Sequence, residues 1–188
     1  MPLVTELTFN IISLSTKPDG KTDASSNNVI TVLIDGTLVA SSDIQVLAKT
    51  KSWIEFSHID GLSITGGTID GQGTALWNCK HSGKSCPIGA TRLQINDAQN
   101  VNITRLSSIN SQKFNIVMHG CQNVHMTRAN VSAADDSPNT DGIHVQQASD
   151  VIILNSSINN GDDCISISPG TSNLWMESIT CRPRNGIR

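Results

Sequence analysis

Residues Asn139 to Ile167, NTDGIHVQQASDVIILNSSINNGDDCISI, decide how the chain is read. Three carboxylates, Asp141, Asp162 and Asp163, sit in two short motifs there. Asp141 and Asp163 are 22 residues apart, and each is followed two and four residues on by an aliphatic: Ile143 and Val145, then Ile165 and Ile167. A further 22 residues on, Ile187 follows Asn185. A recurring offset of this kind predicts stacked coils of a solenoid.

The same period extends toward the N-terminus. The fragments DGLSIT, QNVNIT, QNVHMT, SDVIIL and SNLWME place Leu62, Val101, Val124, Val151 and Leu174 in equivalent positions, at spacings of 39, 23, 27 and 23. The long first gap holds Cys79 and Cys86. Each unit has Asn, Asp or Gly and then two apolar residues around a polar one. A second apolar position follows, read as Ile109, Val131 and Ile158, and a third strand follows as RLQI, FNIVM, DGIHV and CISI. Three short strands in a coil of about two dozen residues predict an all-β parallel β-helix, one domain over 1–188. Its coils would stack about 4.8 Å apart.

Alignment of the third strands sets Thr91, Phe114, Asp141, Asp163 and Asn185 in one column. Strict alternation would send Asp141 and Asp163 into the core with Ile143 and Ile165. Unpaired buried carboxylates are too costly for that, so the backbone is expected to turn before each strand and aim both outward.

The remaining segments read less sharply. Phe9 to Asn28 suggests a short strand and a polar loop with a Pro-Asp-Gly turn in KPDGKTD. Val29 to Val39 is strand-like on both sides of an Asp-Gly turn. Ser52 to Ile69 alternates apolar and polar residues. GGTIDGQG is read as a turn between coils, since no helical pattern follows it.

The bulk numbers exclude several functions. Net charge is −3, without a polybasic stretch, which argues against a nucleic-acid partner. No apolar run approaches the roughly 18 residues of a membrane helix. MPLVTELTFN has no basic region and carries Glu6 in its apolar part, unlike a signal peptide. Five cysteines leave two readings open: buried thiols in a reducing compartment, or bridges in which Cys79 pairs near Cys86, Cys164 lies about one coil from Cys181, and Cys121 is left over.

Like charges held close together raise the pKa of at least one carboxyl. One acid and one base across a bond is the arrangement that hydrolyses glycosides, with roughly 6.5–9.5 Å between them when a water must fit. A calcium site of oxygen ligands and plain turn chemistry are the competing readings of the acidic cluster. His144 and Gln146 share the outward parity beside it and are candidate ligand contacts. His119 and His125 lack metal spacing, and no metal or cofactor is expected. Asn102, Asn130 and Asn155 begin glycosylation sequons.

SPNTDGIHV, GDDCISI, PGTSNLW, DGTLVA, IDGQG and KPDGKTD resemble, in order, the motifs of plant-type polygalacturonases, glycoside hydrolase family 28. The resemblance implies a right-handed parallel β-helix that hydrolyses α-1,4 bonds between galacturonates of pectin, with inversion and without metal. It implies Asp162 as general acid, Asp141 and Asp163 holding and activating water, and Asn139 beside the substrate. It further implies disulfides Cys79–Cys86 and Cys164–Cys181, a free Cys121, a monomer acting on polygalacturonate, and a secreted, cell-wall setting. Two departures stand out. RPRNGIR follows Cys181, so Asn185 replaces the family's Gly-Pro-Gly-His-Gly histidine, and the Arg-x-Lys motif that binds galacturonate is missing from the sequence. A solenoid incomplete at its C-terminal end is therefore expected. Two further functions compete with this one: a non-catalytic pectin-binding or vestigial β-helix, and a calcium-dependent pectin lyase.

Overall fold

The structure, a computed structural model, describes residues 30–188 apart from the side chains of 183 and 184. The strand and turn expected over Phe9 to Asn28 lie outside the described residues. Within them, alternating apolar residues form short strands that stack in parallel, coil on coil.

The first sheet joins β1 (Ile30–Leu33), β4 (Asp60–Thr65), β7 (Gln99–Thr104), β10 (Gln122–Thr127), β13 (Ser149–Leu154) and β15 (Ser172–Glu177). The second face holds β2 (Thr37–Val39), β5 (Thr68–Asp70), β8 (Ser107–Ile109) and β11 (Asn130–Ser132). The third holds β3 (Ser52–Ser57), β6 (Thr91–Asn96), β9 (Ile116–His119) and β12 (Ile143–Gln146). The long β14 (Ser157–Ile167) pairs with β11 at one end and β12 at the other, and β16 (Thr180–Ile187) lies on it. This is a right-handed parallel β-helix, the hand that parallel crossover connections take.

Register follows the sequence columns. Leu62, Val101, Val124, Val151 and Leu174 pair in succession. The Asn, Asp or Gly before each has a conformational cause. Gly61, Asn100, Asn123, Asp150 and Asn173 all have φ between 51° and 90°, the left-handed region these types tolerate best. Their side chains also ladder: Asn123 donates to Asn100 at 2.6 Å, Asn100 to Asp60 at 2.6 Å and Asn173 to Asp150 at 3.0 Å.

Three expectations need correction. In the second apolar column the inward residue is Ser108 and not Ile109: Ser108 pairs with Ile69 and Val131, while Ile109 pairs with Asp70 and Ser132. The buried Ser108 hydroxyl is satisfied by donating to Asn115 Oδ1 at 3.3 Å. The strands flanking Asp35-Gly36 do not pair with each other; β1 joins β4 and β2 joins β5, so the turn is a corner between faces. And a helix does follow GGTIDGQG: α1 (Thr74–His81) buries only Leu76 and Trp77, too few apolar residues to set a helical period. Trp77 Nε1 donates to Ser111 O at 2.8 Å and pins the helix to the solenoid.

The core also holds a cation. Arg92 is buried, and its Nη1 donates to the carbonyls of Ile69 and Ile109. Burial pushes its pKa down to about 9, against the pull of Asp70.

Candidate active site

Asp141 escapes the core because the chain bends next to it. Gly142 points inward: a Cβ there would lie 2.3 Å from Ile158 Cγ2 and 2.6 Å from Cys164 O. Ile143 is buried as well. Two successive inward positions break the alternation and turn Asp141 to the outer face. One coil on, Cys164 and Ile165 are both buried, and the pairing of β14 with β16 shifts register between Asn160 and Asp163. The two carboxylates are neighbours, since Gly142 N–H donates to Asp163 O at 2.9 Å and Asp163 pairs with Asn185. Each keeps about a tenth of its side chain exposed, 10% for Asp141 and 11% for Asp163.

Polar side chains that sequence reasoning passed over hold this bend. Thr140, Asn115 and Asn160 are buried. Asn115 Nδ2 donates to Thr140 O at 3.0 Å, and Asn160 Nδ2 donates to Thr140 O at 2.9 Å and to Asp163 O at 2.8 Å. These amides take up the Thr140 carbonyl, which would otherwise be costly to bury, and Asn160 adds a second bond to the Asp163 carbonyl that already accepts from Gly142 N–H. Thr140 Oγ1 in turn donates to Ser137 O at 2.6 Å. In a chain rich in Asn, the two amides look like ordinary turn formers.

Asp162 precedes Asp163 in β14 and is half-buried. Its Oδ2 accepts from Asn139 N–H at 2.7 Å and its Oδ1 from Asn185 Nδ2 at 3.1 Å. Asn139 takes a left-handed φ of 59°, which aims its N–H at Asp162. Asn139, Asn185 and the three carboxylates are therefore brought together. Asp163 is perturbed: burial raises its pKa first, the charges of Asp141 and Asp162 raise it further, and Arg188, with Nη1 3.9 Å from Oδ1, and Asn185 oppose them. Asp163 Oδ1 is buried without a hydrogen-bond partner.

His144 links the cluster to a groove. Its Nδ1 lies 3.5 Å from Asp141 Oδ2, its Nε2 is 3.2 Å from Ser168 Oγ, and its ring stacks on Phe114. His144 and Gln146 line a groove of about 550 Å³ on the outer face of the third sheet, with Lys49, Lys51 and Lys113 on its walls. His119 lines it too, whereas His125 lies on the first sheet.

The sulfurs of Cys79 and Cys86 are bonded, as are those of Cys164 and Cys181. The second bond fastens the residue next to Asp163 to β16. Cys121 is a buried free thiol whose pKa burial pushes up. Among the described residues, no three His, Cys, Asp or Glu side chains converge as a cation site. Chemically, the arrangement offers one carboxylate with open hydrogen-bonding capacity, one held by two amides, and a groove leading to both.

Comparison with known proteins identifies the family and the fold. The family model "Glycosyl hydrolases family 28" matches residues 8–188. A polygalacturonase of Prunus persica is 45% identical over 223 aligned residues, covering 98% of this chain and 57% of the relative. An exopolygalacturonase of Zea mays is 39% identical over 161 residues, 84% of this chain and 39% of that one. The chain thus spans little more than half the length of the first relative and less of the second. Among solved structures, the endo-xylogalacturonan hydrolase of Aspergillus tubingensis superposes with a TM-score of 0.70 at 25% identity, over 79% of this chain and 42% of that one. The polygalacturonase of Erwinia carotovora ssp. carotovora does so at 0.64 and 21% identity, over 84% and 54%. With its acidic column set on a parallel β-helix and the family model matched along nearly its whole length, the chain belongs to glycosyl hydrolases family 28.

Proposed function

We propose that the chain is a polygalacturonase-type glycosidase that cleaves α-1,4-galacturonosyl bonds of pectin by inverting acid/base hydrolysis. The observation that carries the reading is the juxtaposition of Asp141 and Asp163 on successive coils, with Asp162 beside them, in a chain 45% identical to a polygalacturonase. In this reading Asp162 protonates the glycosidic oxygen as the bond to C1 breaks. A water held by Asp141 and Asp163 attacks C1 from the opposite face and gives its proton to Asp163. A raised pKa suits Asp163 to that task, since a stronger base takes the proton more readily. Asn139, His144, Gln146 and Asn185 contact the sugar. The same reading assigns an extracellular, cell-wall setting and a monomeric, single-domain chain.

A second reading, a pectin-binding protein without turnover, is favoured by one contact. Both Asp162 oxygens already accept hydrogen bonds, from Asn139 N–H and Asn185 Nδ2. Each of these oxygens keeps a second acceptor site open to a sugar hydroxyl, and Asn185, which stands where the family resemblance places a histidine, supplies a hydrogen bond but no titratable group. Release of reducing ends from polygalacturonate by the purified chain, with EDTA present, decides between them. Release that Asp162→Asn abolishes supports the hydrolase. A chain folded by circular dichroism that binds the polymer and releases nothing supports the second reading.

A further inference from the structure

The sequence holds two Asn-Gly pairs, Asn160-Gly161 and Asn185-Gly186, and both lie beside the acidic cluster. Such a pair carries its own chemistry. The next backbone nitrogen belongs to a glycine, which has no Cβ to hinder close approach, so it can attack the Asn side-chain carbonyl and close a cyclic imide. Closure needs a backbone that can move, an amide that is free to turn and room around the glycine. The structure gives the two pairs opposite surroundings. Asn160 is buried, and its Nδ2 donates to Thr140 O at 2.9 Å and to Asp163 O at 2.8 Å. The nitrogen beside it is engaged as well, since Gly161 N–H donates to Thr140 Oγ1 at 3.3 Å. A Cβ at Gly161 would meet Ser137 O at 2.5 Å and Ala134 O at 2.7 Å, so the backbone there is tightly enclosed. Asn185 and Gly186 are both exposed, and a Cβ at Gly186 would meet nothing within 4 Å. Among the described strands β16 pairs with β14 alone, and a strand held on one side opens locally more readily than one held on both.

We propose that Asn185-Gly186 is a deamidation site, at which the chain converts an amide donor of the acidic cluster into a carboxylate. In the first step Gly186 N gives its proton to solvent base and bonds to Asn185 Cγ. The Cγ–Nδ2 bond breaks, and Nδ2 takes up a proton and leaves as ammonia. Water then opens the imide at either carbonyl, which leaves aspartate or isoaspartate at position 185. Water is the only co-reactant, and nothing is oxidised or reduced. Both products place a negative charge where Asn185 Nδ2 donates to Asp162 Oδ1 at 3.1 Å. That charge joins Asp141, Asp162 and Asp163, and like charges held close together favour the protonated carboxyl. Isoaspartate also adds a backbone carbon to β16 between the Asp163–Asn185 and Ile165–Ile187 pairs. The added carbon shifts Arg188, whose Nη1 lies 3.9 Å from Asp163 Oδ1, away from its partner. Deamidation at this pair does not depend on turnover of any substrate, so it stands apart from the hydrolase reading.

The test is peptide mapping by mass spectrometry of the full chain, held folded for days at pH 8 and at pH 5. Aspartate and isoaspartate should accumulate at position 185 several-fold faster than at position 160, and faster at pH 8, where base takes the Gly186 proton more readily. In the chain unfolded with guanidinium the two pairs should react at similar rates, because the enclosure of Asn160 and Gly161 is then gone. Gly186→Ala fills open space and hinders the attack, so it should slow conversion several-fold, and Asn185→Gln should stop it. Circular dichroism checks that each variant is folded. Asn185→Asp reproduces one product directly, and carboxyl titration by NMR should show at least one carboxyl of the cluster shifted upward from the parent. Conversion at 185 no faster than at 160 in the folded chain, or a rate unchanged by Gly186→Ala, overturns the site. A titration of Asn185→Asp that matches the parent overturns its action on the acidic cluster. The hydrolase reading is judged separately, by reducing ends from freshly prepared parent chain, and neither result decides the other.

Discussion

His144 Nδ1 lies 3.5 Å from Asp141 Oδ2 while the same imidazole stacks on Phe114 with ring centroids 5.4 Å apart. One side chain therefore touches both the acidic column and the groove. It sits on the outward parity of β12, three residues after Asp141, where the bend at Gly142 brings the two together.

His144→Ala should lower kcat/KM on polygalacturonate roughly 10- to 100-fold, or about 1.4–2.7 kcal/mol of transition-state stabilisation. His144→Phe separates the two contacts, because it keeps a ring against Phe114 and loses the approach to Asp141. Steady-state kinetics of both variants check the claim. Wild-type kinetics from the Phe variant would reduce His144 to packing.

Asp163 makes stability depend on pH in a defined direction. Its folded pKa is raised above the ordinary value of 3.8 by burial and by Asp141 and Asp162. The folded chain thus favours the neutral acid. Ionisation costs the fold nothing below about pH 4, and the penalty grows as pH rises from there through the folded pKa. Asp163→Asn removes the penalty while keeping the shape, so it should raise Tm at pH 7 and leave it nearly unchanged at pH 3. It should also abolish turnover. Thermal unfolding at the two pH values checks this, and a lower Tm at pH 7 for the variant would show that Arg188 and Asn185 outweigh burial.

The column of Asp141, Asp163 and Asn185 was legible in the sequence because it depends only on the coil period, which stacked aliphatics such as Val101, Val124 and Val151 declare plainly. The cost of burying the acids predicts that they face outward, yet both stay about nine-tenths covered and Asp163 Oδ1 is buried without a hydrogen-bond partner. What was not legible depends on contacts between coils. Ser108 looks like an outward residue until Asn115 is placed behind it, and the α1 helix has too few buried residues to mark its period. Arg92, the first residue of the RLQI fragment, fills the same inward column as Asn115, Gly142 and Cys164, a placement that only the neighbouring coils define. The lysines of the groove come from separate segments, 49–51 and 113, that only the fold brings together.

The Cys164–Cys181 bond closes a sequence separation of 17 residues and fastens β14 to β16 next to Asp163. A loop of that size corresponds to about 3 kcal/mol of stability from restriction of the unfolded chain. Cys164→Ala/Cys181→Ala should lower Tm accordingly and, by freeing the strand that carries Asp162 and Asp163, reduce kcat more than it raises KM. Reductant should then lower the Tm of the parent more than that of the variant. An unchanged Tm in the double variant would show that the bond adds nothing to the coil.

Gly142 and Gly186 occupy equivalent register positions two coils apart, one beside Asp141 and the other after Asn185, but Gly142 is buried and Gly186 is exposed. A Cβ at Gly142 would meet Ile158 Cγ2 at 2.3 Å, Cys164 O at 2.6 Å and Asn160 Nδ2 at 3.2 Å, whereas one at Gly186 would meet nothing within 4 Å. Neither has a φ that excludes a side chain, so space alone decides. Backbone at Cys164 and the packed Ile158 cannot give way cheaply, and overpacking of this kind costs about 1–3 kcal/mol or more. Gly142→Ala should lower Tm and displace Asp141, with a loss of activity larger than the loss of folded protein. Gly186→Ala should leave Tm unchanged or slightly raised, since it only restricts the unfolded chain. Paired melting curves check both at once. Equal behaviour of the two variants would mean that the inward bend at Gly142, and with it the outward aim of Asp141, is not how the acids reach the surface.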